Sequence, residues 1–215
     1  IKPIGIQNGN LNLALTNGIF KEFCLKAAQN TDENFFFIVD EINRADIAAV
    51  FGETLSLLEE NYRGENIKTK NFSLNNQEFF IPANIYFIGM MNDVDKSIDC
   101  FDLALRRRFA WVLMECNYEV VENATDKAYK TKCENLNNYI TKEEYRLKGS
   151  KKTDGLNLGR AYEIGHSYFL KKEAMSEQQI WNRHIEPILR EYIRTQFGDR
   201  DAEDKLNIAR EIFVG

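Results

Sequence analysis

The segment Phe35-Phe36-Phe37-Ile38-Val39-Asp40-Glu41-Ile42-Asn43-Arg44-Ala45-Asp46 decides how this chain folds. Its first five residues are continuously apolar and rich in aromatics, with no polar alternation. A short run of this kind reads as a strand covered on both faces, the pattern of a parallel sheet between helices. It stops abruptly at two adjacent acids. From Asp46 the period changes: Ile47, Val50, Phe51, Leu55 and Leu58 recur at helical spacing, with Asp46 as the helix N-cap.

Working outward, Gly and Asn cluster between Gly5 and Asn17, which reads as a loop or hairpin. A helix is expected next, with Ile19, Phe20, Phe23 and Ala27 on its buried face. Downstream, the segment from Tyr62 to Pro82 reads as a hairpin turning at Asn75-Asn76 and returning through Phe79, Phe80 and Ile81. Ile85 to Met91 is a second continuous apolar run. Ile98 to Arg108 is expected to be a short helix, and Phe109 to Met114 a third buried strand. The order strand, helix, strand, helix, strand defines an α/β fold with a parallel sheet and helices on its faces.

Composition shifts near Asn117, dividing an α/β domain over 1–117 from a helical subdomain over 118–215. Lys, Glu, Asn and Tyr dominate from Tyr118 to Thr153, which reads as solvated helix plus a linker around Gly149-Ser150-Lys151-Lys152. Between Ser176 and Phe197, residues Ile180, Trp181, His184, Ile188, Leu189 and Tyr192 keep helical spacing. Pro187 falls inside this stretch, so a kink or two abutting helices are expected. Asp201 to Phe213 closes the chain as a further helix.

Bulk properties narrow the function classes. Of 215 residues 44% are hydrophobic and 15 are Phe, enough for a packed core rather than a disordered chain. The net charge of -5 argues against bulk nucleic-acid binding by this chain, because phosphate contacts need clustered Lys and Arg. Cys24, Cys100, Cys116 and Cys133 form no C-x-x-C pair and only two His are present, so no structural zinc site is expected. The thiols read as small buried hydrophobes in a reducing cytoplasm. No apolar run is long enough to cross a membrane, and no signal peptide is visible. The chain opens on Ile1-Lys2-Pro3-Ile4 without an initiator Met, as a piece of something longer would.

Three elements could carry chemistry. In doubly wound sheets ligands bind beyond the carboxyl ends of the strands, where Asp40 and Glu41 fall. An Asp there can hold magnesium directly or through water, and a neighbouring Glu can polarise an attacking water. The same pair also suits a solvated strand end before a helix cap. The second apolar run ends in Met91-Asn92-Asp93-Val94-Asp95-Lys96-Ser97. Asn92 could orient the water or touch a terminal phosphate, or could simply start an Asx turn. Arg106-Arg107-Arg108 suit a helix C-terminus, but three forked guanidiniums exceed what dipole compensation needs and match phosphate oxygens.

These elements together resemble the McrB-type AAA+ proteins, the GTP-hydrolysing motor subunits of modification-dependent restriction systems. Asp40-Glu41-Ile42-Asn43-Arg44-Ala45 resembles the Walker B segment D-E-I-N-R of that family. Val50-Phe51-Gly52-Glu53, Leu57-Leu58-Glu59 and Arg63-Gly64-Glu65 continue the match. Met91 to Ser97 resembles the signature M-N-T-A-D-R-S, and Asp99 to Phe109 the helix end D-x-A-L-R-R-R-F. Leu158-Gly159 followed by Ile164-Gly165-His166-Ser167-Tyr168-Phe169 resembles the G-H-S-Y-F segment near the lid. The likeness runs from about Gly18 to Tyr192 and is weakest between Tyr118 and Thr153.

The resemblance implies a parallel-sheet AAA+ P-loop NTPase core, truncated, followed by an α-helical lid subdomain. It implies that Asp40 is the magnesium-associated Walker B acid, Glu41 the catalytic Glu, and Asn92 the sensor on the second strand. It also implies that Asp95 belongs to the signature loop and that Arg107 and Arg108 are finger candidates acting on a neighbouring subunit. His166 is a cofactor-binding candidate, with a hydrogen-bonded core or cap histidine as the other reading. The substrate is GTP or ATP with Mg2+. The partners implied are further copies in a ring, a hexamer, with an McrC-like nuclease subunit and DNA held by a domain outside this chain. The compartment implied is a prokaryotic cytoplasm. A MoxR-like AAA+ chaperone and a degenerate AAA+ assembly module without hydrolysis are the alternatives. The sequence departs from the signature at Asp93-Val94 and at Lys96, which keeps the charge but loses the Arg fork. No P-loop G-x-x-x-x-G-K-[S/T] occurs. Gly149-Ser150-Lys151-Lys152-Thr153 is the only look-alike and reads as the linker, so the chain alone is expected to be inactive.

Overall fold

A computed structural model describes residues 2–7, 10–14, 16–64, 79–92, 94, 106–146 and 152–215. It falls into two compact units, Ile1–Trp111 and Val112–Gly215. They part just upstream of the composition shift at Asn117.

The first unit opens on an antiparallel hairpin of β1 (Lys2–Gln7) and β2 (Asn10–Ala14). Helix α1 (Ile19–Gln29) follows, then β3 (Phe35–Val39), a 3-10 turn at Ile42–Arg44, and α2 (Ile47–Phe51). Asp46 caps α2 as expected, its side chain accepting the Ala49 N–H at 2.9 Å. The expected helix through Leu58 is interrupted at Gly52, which takes φ 51°, and continues as a 3-10 segment over Gly52–Leu58. Gly at this positive φ carries no Cβ penalty, so the break falls there.

Strand β4 (Ile85–Gly89) pairs with β3 in parallel, from Phe35 opposite Ile85 to Val39 opposite Gly89. One face of this pair carries Phe35, Phe37 and Phe87. Phe20 and Phe23 of α1 close on it, with Phe20–Phe37 and Phe23–Phe35 ring centroids 4.8 and 5.6 Å apart. Phe51 adds an edge-on contact to Phe87 at 5.4 Å. Such geometries add about 0.5–1.5 kcal/mol each beyond burial. Asn84 ties α1 to the start of β4, its amide donating to Ala27, Asn30 and Glu33 carbonyls at 3.1, 2.9 and 2.8 Å.

Three expectations are corrected. The strands are not covered on both faces: Phe36 and Ile38 are 55% and 57% exposed, and Tyr86 and Ile88 share their side. Continuous apolarity shows which faces could be buried, not which have a partner. Phe109 to Met114 forms no strand among the described residues, and Val112 and Met114 are 78% and 82% exposed. No described strand lies beside it to take up its backbone hydrogen bonds. On α1, Ile19 points out at 80% exposure while Cys24 and Ala27 are buried. The expected hairpin turn at Asn75-Asn76, most of the helix Ile98 to Arg108, and the centre of the 149–152 linker lie outside the described residues.

The second unit is helical. Helices α3 (Tyr118–Ala124) and α4 (Lys127–Thr141) lead into a short antiparallel pair, β5 (Glu144–Arg146) and β6 (Lys152–Asp154). Helix α5 (His166–Phe169), α6 (Glu177–Ile180), a π-turn at Trp181–Ile185, α7 (Glu186–Phe197) and α8 (Ala202–Phe213) follow. Pro187 is the second residue of α7 and directly follows the π-turn, so helical backbone runs on from Glu177 to Phe197 and the proline is met by a change of helical period rather than a break.

Its core unites Tyr129, Cys133, Leu136 and Ile140 of α4 with Phe169, Trp181, Leu189 and Phe213. The region expected to be solvated therefore supplies a central helix. The buried Asn137 amide donates to Tyr118 Oη and Ile164 O at 2.9 and 3.0 Å, and its oxygen accepts Ile164 N–H at 2.8 Å. Among the described residues no helix is long and apolar enough to cross a membrane.

Candidate functional site

The parallel pairing of β3 and β4 brings two polar segments out at one sheet edge. Met90 N–H donates to Val39 O at 2.8 Å, and Ile42 N–H donates to Met90 O at 3.0 Å. The residues after β3 and after β4 are thus hydrogen-bonded to each other immediately past the sheet. Asp40 and Glu41 follow the first strand; Asn92 follows the second.

Glu41 takes φ 50° and ψ 43°, the left-handed region, one of only two non-Gly residues with positive φ among the described residues. Such a residue costs of order 1–3 kcal/mol and persists where the surroundings dictate it. Asp40 Oδ1 accepts the Glu41 N–H at 2.9 Å, and Arg44 Nε lies 3.0 Å from Glu41 Oε2. Both partners of that ion pair are more than half exposed, so it is worth about 0–1 kcal/mol and releases Glu41 cheaply.

A cleft of about 710 Å³ lies beside these acids, lined by Lys21, Val39, Asp40, Glu41, Arg44 and Phe79 among others. Burial holds the Lys21 ammonium below its usual pKa, with the Phe79 ring 5.9 Å away. No group of three or more His, Cys, Asp or Glu side chains is arranged for a metal among the described residues. The donor chemistry still suits magnesium, which is held through one or two carboxylates plus waters and substrate phosphates. Asp40 is such a carboxylate, with one oxygen already oriented by a backbone N–H.

Asn92 is exposed, and its Oδ1 accepts the Val94 N–H at 3.2 Å, an Asx-type turn. Asp95 lies outside the described residues. The arginine run forms a turn in which each guanidinium has its own setting. Arg106 lies over the Trp111 ring at 5.2 Å, and Trp111 Nε1–H donates to Arg106 O at 3.0 Å. Arg107 is exposed. Arg108 Nε lies 2.9 Å from Glu59 Oε1, with the Arg108 side chain 20% exposed.

In the second unit, His166 Nδ1 accepts the Asn117 N–H at 3.2 Å. That bond leaves Nε2 to carry the proton of the neutral ring. Asn117 in turn caps α3, accepting Glu119 and Val120 N–H groups. The structure thus shows His166 as a hydrogen-bonded partner of a helix cap. The sequence alone assigns no role to Arg44, Lys21 or Glu59. The first was legible from its i, i+3 spacing to Glu41; the other two are set by folding.

A parallel strand pair with acids past the carboxyl end, joined to a separate helical unit, is the plan of an AAA+ nucleotide-handling module. Residues 7–109 match the AAA domain of the dynein-related subfamily. Residues 129–201 match the McrB α-helical lid domain. The chain belongs to the McrB-type AAA+ family. It is 33% identical over 208 residues to the Type IV methyl-directed restriction enzyme EcoKMcrB subunit of Escherichia coli strain K12, covering 87% of this chain and 43% of that protein. It is 28% identical over 184 residues to the Type II restriction enzyme BsuMI component YdiS of Bacillus subtilis strain 168, covering 78% and 50%. The chain spans about half the length of these curated relatives.

Proposed function

We propose that this chain contributes the Walker B and lid parts of a motor that hydrolyses GTP or ATP with magnesium, in a ring of six copies. In this reading the motor powers DNA translocation and cleavage for an McrC-like nuclease subunit, with DNA held by another domain. Glu41 carries the proposal: a non-Gly residue in the left-handed region, directly after Asp40 at the end of a parallel strand. The restriction enzymes named among its relatives support the cellular role.

In this reading Asp40 holds the magnesium ion, which neutralises phosphate charge when bound. Glu41 accepts the proton of the attacking water, a contribution of roughly 10²–10⁴ in rate. Asn92 orients that water, its side chain leaving the Val94 turn to do so, and Asp95 shapes the signature loop. Arg107 and Arg108 stabilise the charge developing on a neighbour's nucleotide. His166 acts from the lid through its Nε2–H.

The test is phosphate release by the purified full-length protein from GTP and from ATP, with and without magnesium. Magnesium-dependent turnover of one of them is expected, and Asp40→Asn should lower it at least about 10²-fold. Absence of phosphate release from both nucleotides would contradict the proposal.

A further inference from the structure

The turn carrying Arg106-Arg107-Arg108 is pinned within its own unit. Phe109 anchors one side in the core, its ring 5.9 Å from that of Phe87. Trp111 holds Arg106 by ring and by indole N–H. Glu59 Oε1 lies 2.9 Å from Arg108 Nε, a charge contact at an atom sealed from solvent rather than a directed hydrogen bond.

The backbone that carries Glu59 is set by the core, while its side chain stays 38% exposed. Glu59 follows Leu57 and Leu58, which are fully buried. Its N–H donates to Ser56 O at 3.3 Å, and its carbonyl accepts the Tyr62 N–H at 3.0 Å. Arg63 Nε donates to the adjacent Leu58 O at 3.0 Å. Through this charge contact the Glu59 carboxylate draws the rigid guanidinium plane of Arg108 toward it and biases where its two terminal nitrogens lie.

We propose that Glu59 is a positioning residue for the arginine run, orienting Arg108 and the turn that presents Arg107. This rests on the reading that the run acts on a neighbouring subunit's nucleotide. An arginine finger is worth roughly 10³–10⁵ in rate, and misplacing a reacting group by about 1 Å costs roughly 10². Removing the Glu59 carboxylate therefore lowers turnover without touching the removed residue's own nucleotide site.

The experiment uses the full-length protein in mixed rings. Glu59→Ala should lower kcat by about 10- to 100-fold and change KM less than about twofold. Its own site stays intact, so mixing it with Glu41→Gln subunits, which keep a positioned arginine run, should restore turnover above that of either variant alone. Glu59→Gln should be impaired like Glu59→Ala, since the amide lacks the charge. Arg107→Ala mixed with Glu41→Gln is the control for action in trans. Wild-type kcat in Glu59→Ala overturns the inference. So does a loss that Glu41→Gln subunits fail to complement while they complement Arg107→Ala. Failure of the Arg107→Ala control instead overturns action in trans, and this inference with it.

Discussion

Asp40 Oδ1 accepts the backbone N–H of Glu41 at 2.9 Å, and this bond closes the turn that puts Glu41 in the left-handed region. The two acids are therefore one conformational unit. Strain at the second is balanced by the first and by the Ile42–Met90 backbone bond just beyond it.

Glycine tolerates this conformation without the Cβ penalty. Glu41→Gly should leave thermal stability unchanged or raise it by about 1 kcal/mol, while Glu41→Ala should not gain. Both should lose turnover. Thermal melts of the two variants side by side test this, and a Glu41→Gly protein clearly less stable than Glu41→Ala would argue against the strained turn.

Asn137 satisfies Tyr118 and both backbone groups of Ile164 inside the second unit's core. Asn137→Ala leaves both backbone groups of Ile164 buried and unpaired. The expected loss is about 2–3 kcal/mol, read from urea unfolding followed by the emission of the buried Trp181.

Gly155 has no room for a side chain. A Cβ there would meet Lys142 O at 2.0 Å and Tyr139 O at 3.0 Å, both backbone atoms that cannot rotate away. Gly155→Ala should destabilise the second unit by about 3 kcal/mol. Gly89→Ala meets only the Ile42 side chain, at 2.8 Å, and should be milder.

Burial pushes the Cys24 and Cys116 thiols up to about 12 from an ordinary 9.0; Arg63 opposes the rise at Cys24 and Glu163 adds to it at Cys116. The folded chain keeps these thiols neutral while the unfolded chain starts to ionise near 9. Their stabilising contribution is therefore complete below pH 9 and lost as pH rises from there toward 12. Cys24→Ala should flatten the alkaline decline of the first unit. At pH 8 a disulfide reagent should leave both thiols unmodified until the protein is unfolded.

Much of the framework around the candidate site is readable from residue order. The Phe35 to Val39 run and the second run from Ile85 become strands, the first stops at Asp40 and Asp46 caps a helix, but the strands' second face stays open where the pattern reads as covered. Other features depend on partners that spacing does not show. The stripe Tyr129, Cys133, Leu136 and Ile140 is narrow and set among Lys, Glu and Asn, so its segment reads as solvated although it fills a core. Trp111 to Met114 is as apolar as a buried strand, but pairing, not composition, makes a strand. Glu59 and Arg108 meet only through folding, and no turn-forming residue announces the left-handed Glu41.

Replacing Glu41 tests the central claim most directly. The full-length Glu41→Gln protein should bind magnesium–nucleotide within about twofold of wild type and lose turnover at least about 100-fold, because the amide cannot take the water's proton. Wild-type turnover in that variant would contradict the account.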